Sequence, residues 1–240
     1  MLQLVSATRL TREHFMRQSL LGRSLPRLGD YEAVGLTLFA ENRAPIGERY
    51  NEVIESAAHE DVLVFVHDDV YIEDWCLRDR LNDALAQFDV VGVAGNTRLA
   101  PEQEAWHLTP DSRLNRQETL RLDTPYLRGA VSHGDDPQQA ALSVYGASPA
   151  QVAVLDGLLI ATRASTLKQS GVRFDPALGF HFYDLDFCRA ATAAGLRLGT
   201  WPIALTHRSR GESVKSEAWT ESLRVYAAKW RGAPAAITQL

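Results

Sequence analysis

Asp61-Val62-Leu63-Val64-Phe65-Val66-His67-Asp68-Asp69-Val70 is a run of five apolar residues that ends abruptly in an imidazole and two carboxylates. An apolar run of this length bounded by charge predicts a central strand buried on both faces of a parallel sheet. The charged residues then stand at its carboxyl end. Open α/β sheets bind ligands at that edge, because loops rather than helices cover it. Two adjacent acids with a histidine suit a divalent cation there, and such a cation would hold a phosphate. A plainer reading of the same residues is that Asp68 and Asp69 cap a following helix.

Working outward, the segments before this strand repeat one order. Residues 2–5 predict a first strand opening into the polar loop Ser6-Ala7-Thr8-Arg9. Residues 11–21 have helical spacing, with Phe15, Leu20 and Leu21 on one side and Gly22 as a stop signal. A second apolar run over 31–39 leads into a turn-rich loop at 40–47, and residues 50–57 predict a helix returning to Asp61. Strand, loop and helix in series predict a doubly wound, mostly parallel sheet with its loops aimed at one edge.

After the acids, residues 72–88 place Trp75, Leu77, Leu81, Leu85 and Phe88 at helical spacing, and residues 89–95 predict another buried strand. Residues 96–151 differ in character. Pro101, Pro110, Pro125, Pro137 and Pro149, with Gly129, Gly134 and Gly146, leave only short β-like pieces, which predicts an insertion of hairpins and not a second core. Residues 151–162 return to buried-strand composition, broken at the centre by Asp156-Gly157. A buried acid without a partner is costly, so this pair points to function.

Phe180-His181-Phe182-Tyr183-Asp184-Leu185-Asp186 is an aromatic loop entering a helix whose first turn carries two carboxylates. Two residues apart, they point to different sides of that helix. Residues 195–203 predict an alternating strand, and Ala204-Leu205-Thr206-His207-Arg208-Ser209-Arg210-Gly211 ends the sheet with an imidazole and two guanidinium groups. Residues 213–230 predict an amphipathic helix with Trp219, Leu223, Tyr226 and Trp230 as its stripe. That stripe packs on its own core or on a second subunit of a homo-oligomer. The whole reads as one domain over 1–240, with the insertion at 96–151 and the C-terminal helix at 212–231.

Bulk composition agrees with one sizeable core: 240 residues, 45% hydrophobic and 23% charged. The net charge of -5 argues against a nucleic-acid surface or a polybasic membrane patch. Cys76 and Cys188 lie far apart in apolar helical contexts, which predicts two buried thiols and a reducing, cytoplasmic setting. Residues 1–6 lack the basic start and apolar core of a signal peptide, and no apolar run approaches the roughly 20 residues of a membrane span.

Taken in order and separation, these motifs resemble the family-2-like inverting glycosyltransferases of the GT-A fold, within them a group of small bacterial members. The resemblance runs from Leu2 to Trp230. It is carried by Val66-His67-Asp68-Asp69-Val70 in place of an Asp-x-Asp strand end, by Leu155-Asp156-Gly157-Leu158-Leu159, by Phe180 to Asp186 in place of a Glu-Asp base motif, and by Thr206-His207. It implies a Rossmann-like sheet flanked by helices and Mg²⁺ or Mn²⁺ bridging the phosphates of a nucleoside-diphosphate sugar. Asp69 matches the last acid of the motif and is the expected metal ligand. His67 stands at the first acid position, and Asp68 or His67 contacts the ribose or the metal. His207 falls where related enzymes have a further ligand.

The resemblance also implies Asp184 as the base that takes the acceptor proton, with Asp186 next in line. Asp156 faces the donor sugar or the acceptor hydroxyls, with Gly157 and Tyr183 as further sugar- or acceptor-binding residues, and the acceptor hydroxyl belongs to a glycan, a lipid-linked sugar or a small molecule. Ala7, Thr8, Arg9 and Asn42 lie where the family cradles the nucleotide, and Arg208 and Arg210 on a glycine-containing loop would close over the diphosphate. The family commonly has an Asp at or near Asn42, and its absence leaves the base unassigned. Two other readings compete: a sugar nucleotidyltransferase, which would want a Gly-rich basic loop that residues 6–9 do not supply, and a non-catalytic glycan- or nucleotide-binding module.

Overall fold

The computed structural model describes residues 1–29, 34–112, 120–208 and 216–238. In chain order its strands are β1 (Leu2–Ala7), β2 (Val34–Phe39), β3 (Val62–Val66), β4 (Val70–Ile72), β5 (Val90–Gly92), β6 (Ala94–Asn96) and β7 (Arg98–Leu99). There follow β8 (Leu127–His133), β9 (Ala141–Gly146), β10 (Ala150–Val152), β11 (Val154–Leu155), β12 (Leu159–Arg163), β13 (Leu198–Thr200), β14 (Leu205–His207) and β15 (Ala236–Ile237). The helices are α1 (Arg12–Gln18), α2 (Leu20–Gly29), α3 (Ile46–Ser56), α4 (Leu77–Gln87), α5 (Ala164–Ser170), α6 (Tyr183–Ala193) and α7 (Glu217–Lys229).

The first sheet has the order β10-β13-β5-β12-β3-β1-β2. Every residue of β3 is buried, as a strand covered on both faces requires. It runs parallel to β1, and β1 parallel to β2, but its other neighbour, β12, is antiparallel. β12 is also antiparallel to β5, β5 parallel to β13, and β13 antiparallel to β10. Five strands thus share one direction, while β12 and β10 oppose them. The sheet is mixed, because β12 is threaded between β3 and β5 without a helical crossover.

A second sheet, β11-β6-β8-β14-β4 with β9 beside β8, stands against the end of the first. The chain passes between the two sheets at His67-Asp68-Asp69, at Val93, at Ala153 and through residues 201–204. Residues 96–151 are therefore more than an insertion: β8 and β9 build this sheet jointly with β4, β6, β11 and β14. β4, β6 and β11 are at most three residues long, too short to show a period, so β4 merges in the sequence with the helix that follows.

Two further expectations are corrected. The helix expected over 11–21 is two helices, broken at Ser19, and Gly22 lies inside α2 instead of stopping α1. A β-carbon at Gly22 would fall 2.1 Å from the Phe15 carbonyl oxygen, so this glycine permits a close crossing of α1 and α2. Of the two cysteines, Cys188 is buried but Cys76 is exposed, at the residue preceding α4. Trp219 and Tyr226 of α7 are buried in the chain's own core. Among the described residues no helix is long and apolar enough to cross a membrane.

Candidate active site

β3 ends at Val66 and the chain turns at once, with the Val70 N–H reaching the His67 carbonyl at 3.4 Å. This switch between sheets sends three consecutive polar side chains in different directions. β4 lies antiparallel to β14 with Val70 opposite His207, and the Asp69 carbonyl accepts the Arg208 N–H at 2.9 Å. His67, Asp69 and His207 consequently converge, one ligand atom from each lying within 4.8 Å of the others. Asp69 Oδ1 is 3.5 Å from His207 Nε2 and 3.9 Å from His67 Nδ1. Among the described residues that oxygen is buried with no hydrogen-bond partner, a costly state for a carboxylate that a cation would relieve.

The proton on His67 can be placed by counting. Tyr183 Oη donates its one proton to the Gly157 carbonyl at 2.7 Å, since a carbonyl can only accept. Its 2.7 Å contact with His67 Nε2 must then be a bond donated by the imidazole. His67 Nδ1 is left as a bare lone pair facing Asp69, which is the form a metal ligand needs. Burial keeps His67 below the ordinary imidazole range against the pull of Asp69. Burial also pulls on His207, but its contact with Asp69 outweighs this and holds it above that range. Asp69 is pushed up by burial and brought below its ordinary range by the two histidines. Two imidazoles and a carboxylate around an orphaned oxygen are a donor set that fits a divalent cation.

Beside this group lies Asp184, in the first turn of α6. The preceding Phe182 has φ +64°, a region that side chains other than glycine rarely occupy. Its ring stacks on Tyr226 at 5.3 Å and meets Trp219 at 5.4 Å, so the packing of α7 holds the turn that directs Tyr183 and Asp184 inward. Asp184 Oδ2 accepts the Gly157 N–H at 3.2 Å and Oδ1 the Leu185 N–H at 2.9 Å. Burial and the nearby charge of Asp156 push its carboxyl up to about 7. Gly157 is required by close approach, because a β-carbon there would fall 2.5 Å from Tyr183 Oη. Asp156 accepts the Leu158 N–H at 3.1 Å.

Asp186 faces elsewhere. It is fully buried, accepts Lys229 Nζ at 2.9 Å and Trp230 Nε1 at 2.8 Å, and so fastens α6 to the end of α7. Both of its oxygens are thereby engaged with α7, unlike those of Asp184, which accept only backbone N–H groups. Two residues, little more than half a helical turn, separate a site residue from an anchor.

On the other flank, the Thr8 hydroxyl donates to Asp68 Oδ2. Asp68 therefore serves the loop after β1 rather than the histidine cluster, and burial raises its pKa. The Asn42 N–H bonds the Thr8 carbonyl at 2.8 Å, joining the loops after β1 and β2. The Asn42 side chain closes a turn on Ala44 and accepts Arg49 Nε at 3.2 Å. Ala7 is half-buried and Arg9 exposed. Arg208 Nε lies 2.8 Å from Asp135, and Arg210 is outside the described residues. The sequence reading missed His133, which neighbours His207 at 5.9 Å between ring centroids. Only the register of β8 against β14 reveals it.

A model of the glycosyltransferase-like family matches residues 26–221. No curated protein sequence matches the chain. Among solved structures, a Drosophila β1,4-galactosyltransferase 7 mutant in complex with manganese, UDP-Gal and xylobiose is similar at 12% identity. That match covers 93% of this chain and 79% of that one, with a TM-score of 0.50. S. aureus TarS 1-349 is similar at 14% identity, over 95% of this chain and 64% of that one, with a TM-score of 0.45. A197 from STIV is similar at 12% identity, over 87% and 85%, with a TM-score of 0.48. Likeness at such identities speaks to fold alone.

Proposed function

The chain belongs to the glycosyltransferase-like family and has the GT-A fold, and from that premise we propose that it transfers a sugar from a nucleoside-diphosphate sugar to a hydroxyl acceptor, with a divalent cation and with inversion. The observation that carries this reading is the convergence of His67, Asp69 and His207 beside Asp184, around a buried oxygen of Asp69 that has no hydrogen-bond partner among the described residues.

His67, Asp69 and His207 would hold the cation, which when bound supplies positive charge for the diphosphate. Imidazole donors suit Mn²⁺ better than Mg²⁺, which favours an all-oxygen shell, so Mn²⁺ is the preferred of the two. In a protein of the same fold, manganese and UDP-Gal occur together. The joined loops at Thr8 and Asn42, with Asp68 behind them, cradle the nucleotide, and Arg208 stands at the rim. The acceptor oxygen attacks the anomeric carbon as the bond to the diphosphate breaks. Asp184 takes the acceptor proton; a carboxyl raised to about 7 is matched to that task near neutral pH. A single displacement assisted by one base inverts the anomeric centre. The exposed thiol of Cys76 suits a reducing, cytoplasmic setting.

The test is a panel of nucleotide-sugars assayed for release of nucleoside diphosphate with Mn²⁺ and with chelator. Release from one or more donors that needs the metal supports the reading. Metal-independent carbohydrate binding without turnover contradicts it.

A further inference from the structure

The face of the second sheet that carries His207 continues past the proposed ligand group. His133 is in register with His207 on the adjacent strand. Its Nε2 lies 3.1 Å from Tyr145 Oη. The Tyr145 ring meets Trp106 edge-on at 5.1 Å, and Trp106 meets His107 at 5.2 Å. His107, His133 and Tyr145 are half-buried, neither sealed in the core nor free on the surface.

This row is held by a buried polar network that nothing in the reaction above requires. Residues 100–112 contain no helix or extended strand, yet Gln103 is fully buried and Trp106 is 7% exposed. The Trp106 carbonyl accepts Asn96 Nδ2 at 2.9 Å and Gln103 Nε2 at 3.2 Å. Asn96 also donates to Asp123 at 2.9 Å, and Asp123 is paired with Arg98. A fully satisfied buried network of this kind fixes one arrangement of an irregular loop. What it fixes is the placement of Trp106 and His107 against Tyr145.

The row adjoins the ligand group through His133 and His207, 5.9 Å apart, and Asp156 follows β11 of the same sheet at a turn whose Gly157 N–H is accepted by Asp184 Oδ2 at 3.2 Å. We propose that His107, His133 and Tyr145, with Asp156 at the turn that contacts Asp184, form the acceptor subsite and select an uncharged pyranose through its ring hydroxyls. The proposal rests on the glycosyl-transfer reading given above. Imidazole, phenol and carboxylate groups offer donors and acceptors to hydroxyls, and an aromatic ring offers an apolar face to the sugar's C–H bonds. A phosphate or carboxylate on the acceptor would be drawn from water toward two like charges, Asp156 and Asp184. Arg208, a nearby cation, is engaged with Asp135. Burial holds His107 below the ordinary imidazole range, which keeps it a neutral hydrogen-bonding group.

The experiment uses the full chain with Mn²⁺. Mn²⁺-dependent binding of a nucleoside diphosphate by the wild type, which needs no acceptor, reads the transferase assignment by itself, and its absence across the nucleotide panel overturns that assignment and this one together. With binding established, methyl glycosides of glucose, galactose, xylose and N-acetylglucosamine are compared with the matching uronic acids and sugar phosphates as acceptors for the nucleotide-sugars. At least one neutral glycoside is expected to accelerate nucleoside-diphosphate release about tenfold or more over its charged counterparts, and Tyr145→Phe and His133→Gln to raise its KM about tenfold with a smaller change in kcat. Preference for a charged acceptor overturns the proposal, as does an unchanged acceptor KM in both variants. Saturation-transfer NMR on the wild type keeps the question open to test should a variant fail to fold: transfer to the neutral sugar ring is expected, and its absence across the panel overturns the subsite.

Discussion

Tyr183 Oη bridges His67 Nε2 and the Gly157 carbonyl at 2.7 Å on each side, so one hydroxyl fixes which nitrogen of His67 carries its proton. The lone pair left on Nδ1 is turned toward Asp69. Through this bond the Asp156-Gly157 turn and the helix bearing Asp184 are tied to the proposed cation site. Tyr183→Phe removes the bond and should weaken Mn²⁺ binding about 10- to 100-fold, the usual effect of losing a partner behind a histidine ligand. Titration of the protein against the free-Mn²⁺ electron paramagnetic resonance signal measures it. Affinity equal to wild type would show that His67 needs no such orientation.

Asp184→Asn keeps the shape of the side chain and removes its ability to take a proton. Turnover should fall about 10²- to 10⁴-fold while binding of nucleoside diphosphate with Mn²⁺ stays close to wild type. Steady-state kinetics and calorimetry on the same preparation separate the two. Retained turnover would remove Asp184 from its role.

The same carboxyl links stability to pH. Its folded pKa of about 7 lies above its ordinary value of 3.8. The stability it contributes is fully present below the ordinary value and is lost as pH rises through 7, because the ionised form is poorly solvated where it lies. In metal-free buffer, the Tm of Asp184→Asn minus that of wild type should be near zero at about pH 4 and grow through about pH 7. A difference that does not change with pH would mean the carboxyl is not so perturbed.

Asp186 should behave differently from Asp184. Its carboxylate is fully buried against Lys229 and Trp230, and Asp186→Ala leaves the indole N–H without its acceptor. Lys229 is 36% exposed and can return to water, so the loss is about 2 kcal/mol, or a fall in Tm of about 4–8 °C. Calorimetric melting measures it, with kcat of the folded fraction close to wild type. A large loss of kcat at unchanged Tm would return Asp186 to the site.

Much of this site can be read from the chain before its coordinates. The apolar run Val62–Val66 ending in His67-Asp68-Asp69 is legible because burial on both faces leaves no alternation, and because charge interrupts it sharply. Asp156-Gly157 and Tyr183-Asp184 stand out for the same reason, a charge set among apolar residues. What stays hidden depends on pairing. Val70–Ile72 is too short to show a period, so the pairing that brings His207 to Asp69 is hidden and only the family resemblance singles His207 out. Asp184 and Asp186 look alike until α7 is seen to claim one of them. His133 and Tyr145 are isolated residues in a proline-broken stretch, and only the registers of β8 with β14 and β9 put them on one face.

Convergence of His67, Asp69 and His207 on one cation and one diphosphate is the claim on which the rest depends. The direct measurement is calorimetric titration of a panel of nucleoside diphosphates into wild type and Asp69→Ala, each with and without Mn²⁺. The account predicts binding of at least one nucleoside diphosphate that requires Mn²⁺ in the wild type and is lost in Asp69→Ala. Binding that ignores the metal, or that survives the substitution unchanged, would contradict it.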